Sequence, residues 1–209
     1  MDDIREAINQ AVKNGRLDIL MDFHRKYKKC YWDEITCSIA ALNGHIECLK
    51  YLYDNGCKWN EYTCKYAAEN GHIECLKYAH VNGCPWDRWT CQNAATNGHL
   101  ACFKYAHENG CPLDESTCED AAMNGHLDCL QYAHENGFPW DKNTCYWAAK
   151  NTQFDCLKYA YENGCPYPEE LKSTIVRKII IPKWYASVKV HFIIYYWMKR
   201  SAKASCAEN

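Results

Sequence analysis

The chain has 209 residues, 48% of them apolar, with 24 basic and 26 acidic side chains and a formal net charge of −2. That composition describes a packed, water-compatible protein rather than a disordered one, and no apolar run approaches the ~18 residues a membrane helix needs. Charge is unevenly spread: residues 1–168 hold 16 basic and 23 acidic side chains, residues 169–209 hold 8 and 3, and an acidic body argues against nucleic acid as its ligand.

The first ten residues, MDDIREAINQ, are acidic and amphipathic and lack the basic start and apolar stretch of a secretory signal. A reducing, cytoplasmic compartment is therefore expected, with the sixteen cysteines as free thiols. AINQAVKNGRLDIL, residues 7–20, reads as a divergent first unit of a repeat that then becomes regular. Thr-Cys pairs begin at Thr36, Thr63, Thr90, Thr117 and Thr144, 27 residues apart. Ala40-Ala41, Ala67-Ala68, Ala94-Ala95, Ala121-Ala122 and Ala148-Ala149 keep the same register. Gly-His follows at Gly44, Gly71, Gly98 and Gly125, and the fifth copy has Thr152-Gln153 instead.

Each copy parses into two short helices. Asp33, Asn60, Asp87, Asp114 and Asp141 are placed to cap the first, because a side-chain oxygen there satisfies orphan backbone amides. Cys64, Ala67 and Ala68 share one helical face, and Gly71 ends the helix in a left-handed conformation. The second helix carries an apolar stripe of Ile73, Cys75, Leu76 and Ala79. Gly83 closes it, and Pro85 forbids continuation. Such a pair cannot bury its apolar face alone, so stacking into an all-α solenoid is predicted.

The string Thr-x-x-x-Ala-Ala-x-x-Gly-His, closed by a glycine eleven residues on, resembles the ankyrin repeat over residues 4–168. The usual Thr-Pro-Leu-His start is replaced, with Ile39, Tyr66, Asn93, Asp120 or Trp147 in the histidine slot. The period is 27 rather than about 33. The shortfall falls where ankyrin repeats carry a projecting β-hairpin, so a tight Gly-Cys-Pro-Trp-Asp turn is expected in its place. In style the chain resembles the cysteine-rich, short-period ankyrin proteins of giant viruses of amoebae and some protists.

Cysteine fills three slots per unit: after the threonine, mid second helix, and after the closing glycine. No two are as close as the Cys-x-x-Cys of zinc sites. The ligand-like spacing is His-x-x-Cys, at His45/Cys48, His72/Cys75, His99/Cys102 and His126/Cys129. Phe138 and Gln153 interrupt the cysteine and histidine series within an otherwise regular array, as a packing residue permits and a ligand does not. No metal ligand, cofactor site or catalytic residue is assigned, and no enzyme motif is found. Trp32, Trp59, Trp86 and Trp140, with Leu113 and Tyr167 in the equivalent places, read as a stacked row between turns. His80, His107 and His134 alternate with Tyr53 and Tyr161 and read as a surface position of the second helix.

Slots that vary while the frame stays fixed are read as free of the packing constraint. These are Ser38-Ile39, Lys65-Tyr66, Gln92-Asn93, Glu119-Asp120 and Tyr146-Trp147, the residues Ile35, Tyr62, Trp89, Ser116 and Asn143 before them, and Leu42, Glu69, Thr96, Met123 and Lys150 after them. The resemblance implies that the first helices line a concave groove. Partner contact is accordingly assigned to Tyr62, Lys65, Tyr66, Trp89, Gln92, Asn93, Glu119, Asp120, Tyr146 and Trp147, with the aromatics as anchors and Glu119 and Asp120 as an acidic spot for a basic side chain.

The division expected is a repeat array over 1–168 and a basic, apolar helical cap and tail over 169–209. The second C-terminal helix would present Trp184, Val188, Phe192 and Tyr195 on one face, beside Ile193, Tyr196 and Trp197. The function expected is a non-enzymatic protein-interaction module, monomeric, with a protein partner (a host protein if the source is viral). Two alternatives stand: a thiol-rich metal or redox array, and a membrane-surface tether through the C-terminal helix, with Lys189, Lys199, Arg200 and Lys203 as its basic rim.

Overall fold

The structure, a computed structural model, describes residues 2–27, 31–112 and 114–180. Leu113 and the helix expected around Trp184–Arg200 lie outside the described residues. Helices α1 (Asp2–Lys13) and α2 (Leu17–Tyr27) form the divergent first pair. The regular units are α3 (Glu34–Leu42) with α4 (Ile46–Asp54), α5 (Glu61–Glu69) with α6 (Ile73–Val81), α7 (Arg88–Thr96) with α8 (Leu100–Glu108), α9 (Thr117–Met123) with α10 (Leu127–Glu135), and α11 (Lys142–Lys150) with α12 (Phe154–Glu162). First helices pack in the order α1, α3, α5, α7, α9, α11, and second helices from α2 to α12 likewise. The array is therefore a two-layer solenoid. Among the described residues there is no strand, so the connections between units carry no hairpin.

Local chemistry sets the helix ends. The Asp33 carboxylate accepts from the Ile35 and Thr36 amides at 3.1 and 3.3 Å, and Thr36 Oγ1 accepts from the Asp33 amide in return, which closes a capping box. Asn60, Asp87, Asp114 and Asp141 accept from the amide two residues on at 2.8–3.1 Å. At the other end Gly71 takes φ +74°, and the His72 amide reaches back to the Ala67 carbonyl at 2.8 Å, the six-to-one bond of a Schellman motif.

The core runs between the two layers. Leu49, Leu52, Leu76, Phe103, Leu130 and Leu157 are fully buried, along with every Ala-Ala pair except the half-buried Ala149. Each large side chain removed from water contributes about 1.5–3 kcal/mol, and the small alanines let neighbouring first helices approach. After α12, a 3-10 turn (Glu169–Leu171) leads into α13 (Lys172–Ile175), which loosens into a π turn over Val176–Ile180. Leu171, Ile175 and Ile179 are buried there, and the Lys178 ammonium lies 4.9 Å from the Phe154 ring of α12.

Candidate partner-binding face

The fourteen described cysteines are all buried thiols. Among the described residues no three His, Cys, Asp or Glu side chains are grouped to hold a metal ion. The third-slot thiols do more than fill space. Cys57, Cys84, Cys111 and Cys165 donate to the carbonyls of the cap residues Asp33, Asn60, Asp87 and Asp141 at 3.0–3.2 Å. Each ties the end of one unit to the start of its own first helix. Phe138 cannot do this, and in that unit Thr117 Oγ1 donates to the Asp114 carbonyl at 2.8 Å instead. Burial pushes the mid-helix thiols of Cys75, Cys129 and Cys156 up to about 12 and that of Cys102 up to about 11.

The second interruption is compensated in the same manner. Nε2 of His45 and His72 bonds the Lys13 and Leu42 carbonyls of the preceding unit at 3.0 and 3.1 Å. Where Gln153 replaces the histidine, Asn151 bonds the equivalent Met123 carbonyl at 2.9 Å. The asparagines at the same place in the other units bond within their own helix, as Asn70 does to Tyr66.

The other histidine series is not a free surface. His80 stacks on Trp86 with centroids 3.7 Å apart and shares a hydrogen bond with the Tyr105 hydroxyl of the next unit at 2.9 Å. His134 does the same with Trp140 and Tyr159, and Tyr53 stacks on Trp59 at 3.8 Å. The tryptophan row is thus a ring-to-ring seam along the second helices. A spacing of 25 residues between histidine and tyrosine is its sequence signal.

The variable slots of the first helices are less free than their variability implies. Ser38 is buried and shares a bond with Thr63 of the next unit. Gln92 donates to Ser116 at 2.9 Å and to Asp120, and Asn93 donates to Glu69 at 3.1 Å. Lys65 lies over Tyr62 and Tyr66 at 5.7 and 5.9 Å, and Lys150 lies over Tyr146 and Trp147 at 5.5 and 4.5 Å. Glu119 is half-buried. Burial first, then repulsion from Asp120 and Asp141, raises its carboxyl above the usual range, while hydrogen bonds from Asn143 and Trp147 act in the opposite sense. Ser38, Gln92, Asn93 and Glu119 thus meet a neighbouring unit, whereas Lys65 and Lys150 cover rings of their own helix.

Of the ten residues assigned to partner contact, Tyr62 and Trp89 are well exposed, at 44% and 42%. Lys65, Tyr66, Gln92, Asn93, Glu119, Asp120, Tyr146 and Trp147 are half-buried, some against the neighbouring unit and some against side chains of their own helix. The structure adds a residue that the sequence reading placed among the variable slots but did not assign to partner contact. Ile35 is 59% exposed and occupies the slot of Tyr62 and Trp89, two residues after the cap. Ile35, Tyr62 and Trp89 therefore make an apolar stripe across three adjacent units. Beyond it, an open cleft of about 340 Å³ is lined by Glu115, Ser116, Glu119, Pro139, Trp140, Asp141 and Thr144. No helix among the described residues is long and apolar enough to cross a membrane.

Residues 37–80 and 118–161 match the family described as ankyrin repeats (many copies). Among solved structures, the human ASB11 ankyrin repeat domain is similar at 24% identity, with a TM-score of 0.56 over 62% of this chain and 69% of that one. That likeness establishes the fold. No curated protein matches the chain.

Proposed function

We propose that this stack of helix pairs, ankyrin-like in fold and matched in part by the ankyrin repeat family, is an interaction module that holds a protein partner against the row of first helices, one solenoid to one partner. Repeats of this family are generally non-enzymatic binding modules, and the single observation that carries the reading is the stripe of Ile35, Tyr62 and Trp89. Three large apolar side chains left open on consecutive units are costly in water, and aromatic residues of this kind dominate binding energy at interfaces. Their backbone is held by caps and lateral hydrogen bonds, so little ordering entropy opposes association. The buried face of residues 171–179 fits a cap that closes the last unit, leaving the first-helix row as the working surface. For a viral source, the partner is a host protein met in the cytoplasm.

The test compares capture of partners from cell lysate by three proteins of equal helicity. They are the intact chain, a stripe variant (Ile35→Ser, Tyr62→Ser, Trp89→Ser), and a control altered at exposed second-helix positions (Met21→Ser, Val81→Ser). The expected outcome is a partner retained by the first and third and reduced at least tenfold with the second, as for loss of hot-spot contacts. Equal recovery by the stripe variant places the function elsewhere on the molecule.

A further inference from the structure

The stripe of Ile35, Tyr62 and Trp89 has two ends as well as a surface. The same slot holds Ser116 and Asn143 in the next two units, so the apolar run stops after Trp89. Neighbouring units stack about 8–10 Å apart, which sets the interval between its side chains. A β-strand presents one face at every second residue, at about 6.6 Å or twice that, and misses this interval. Two elements come near it: an α-helix at seven residues, about 10.5 Å, and a polyproline II helix at three, about 9.3 Å.

The donors on the stripe separate the two. Neither the Tyr62 hydroxyl nor the Trp89 indole N–H bonds a protein group among the described residues. An α-helix spends its carbonyls on its own amides and offers these donors nothing. A polyproline II helix has no internal hydrogen bonds and leaves its carbonyls available. The rings are also held in place. Arg88 lies over Trp89 at 5.0 Å and reaches Asp114 at 3.7 Å, and Lys65 lies over Tyr62 at 5.7 Å. Charge, finally, differs along the stripe. Glu34 and Glu61, beside Ile35 and Tyr62, are exposed and have no ion-pair partner among the described residues, whereas Arg88 stands beside Trp89.

We propose that the stripe receives a proline-rich segment of the partner in the polyproline II conformation. An apolar side chain at every third residue meets Ile35, Tyr62 and Trp89 in turn. Backbone carbonyls accept from the Tyr62 hydroxyl and the Trp89 indole, and a basic residue at the Ile35 end meets Glu34 and Glu61. This rests on the reading of the first-helix row as the partner surface and names the kind of segment that surface takes. Six steps of about 3.1 Å cover the two intervals of the stripe. Such a segment is ordered before it binds, so fixed rings and a stiff ligand lose little freedom on meeting. A second copy of this chain does not supply it. Pro85, Pro112, Pro139 and Pro166 stand 27 residues apart, and Pro168 and Pro182 complete the six, so no two prolines are three apart.

The test is an NMR titration of the ¹⁵N-labelled full chain with acetyl-Arg-Leu-Pro-Pro-Leu-Pro-Pro-Leu-Arg-amide, whose leucines stand three apart and whose arginines serve either direction of binding. Two controls accompany it: acetyl-Arg-Leu-Leu-Leu-Pro-Pro-Pro-Pro-Arg-amide, of the same composition, and an alanine-based helical peptide with leucines seven apart. The expected result is saturable shifts of the Trp89 indole and Tyr62 amide signals with the first peptide, and binding weaker by about fivefold or more with both controls, for want of the spacing or of the free carbonyls. Trp89→Phe, which keeps a ring and removes the donor, is expected to weaken binding about fivefold. Glu34→Gln/Glu61→Gln is expected to weaken it about two- to threefold. Both variants alter exposed side chains, and their remaining signals confirm the fold. No saturation at millimolar peptide, equal or tighter binding of either control, or binding unchanged by Trp89→Phe overturns the proposal. Retention of the lysate partner by the stripe variant refutes the groove reading. A partner lost by that variant, with no preference for the three-residue spacing in the titration, refutes the proline segment alone.

Discussion

At the scale of single residues, the informative positions are those where a copy departs from the repeat. Thr152 stands where the other regular copies have glycine, and it is held at φ +62°. That left-handed conformation costs an L-residue roughly 1–2 kcal/mol, and more of the rotamer space of a β-branched side chain is closed there. Its side chain is exposed. Thr152→Gly is therefore expected to stabilise the protein by about 1 kcal/mol, the relief of strain exceeding the added freedom of the unfolded glycine. In thermal unfolding that corresponds to a gain of about 2–4 °C; an unchanged or lowered midpoint contradicts it. Phe138 and Gln153 teach a related lesson. Each removes a hydrogen bond the repeat normally makes, and Thr117 or Asn151 supplies a substitute. A carbonyl at the joint between units takes a donor, but not one of a particular residue type.

At the scale of the helix pair, the two glycines of a unit look alike in sequence and differ in surroundings. Gly71 and Gly83 both take positive φ, +74° and +82°. A Cβ on Gly71 would lie 2.5 Å from Nδ1 of His99 in the next unit, whereas a Cβ on Gly83 meets nothing within 4 Å. Both alanine substitutions incur the left-handed strain of roughly 1–2 kcal/mol. Gly71→Ala must also push the histidine out of its seat, which adds about 1–3 kcal/mol. Chemical denaturation of both variants should show Gly71→Ala as clearly the weaker; equal losses would mean that the ring is free to move aside. The helix-ending signal was legible from the Gly-His pair alone. The second duty of that glycine, seating a ring from the following unit, is visible only when the units are stacked.

At the scale of the whole array, acidity acts at joints between units. Burial lowers the basicity of His72, and repulsion from His99 and His45 adds to this, while its bond to the Leu42 carbonyl opposes it. Burial also lowers His80. The unfolded chain, with histidines near 6.5, takes up these protons first, so stability is full above about pH 6.5 and declines as the pH falls below it. On the alkaline side the sign reverses. Thiols such as Cys75 and Cys156, held up to about 12 from 9.0, stay protonated in the folded state while the unfolded chain ionises, so stability falls as pH rises past about 9. Urea unfolding between pH 5.5 and 10 should give a maximum between these limits. The His72→Gln/His80→Gln variant should show a flatter acid limb, glutamine being what the fifth copy already uses in the His72 slot. An acid limb unchanged by that pair would assign the loss to other groups.

The sequence by itself determined the all-helical class, the paired units, the capping residues, the turns without a hairpin and the buried cysteines. Each of these follows from local rules that repeat every 27 residues: an oxygen at a cap, a glycine at a left-handed turn, an apolar face at helical spacing. What only the tertiary structure decided lies across the joints. The ten assigned contact residues were chosen because they vary, and several of them are held by the neighbouring unit, as Gln92 by Asp120 and Asn93 by Glu69. The stripe of Ile35, Tyr62 and Trp89 comes from stacking residues 27 positions apart. Local sequence fixes how one unit ends; the meeting of two surfaces, which no single unit contains, fixes what remains open to bind.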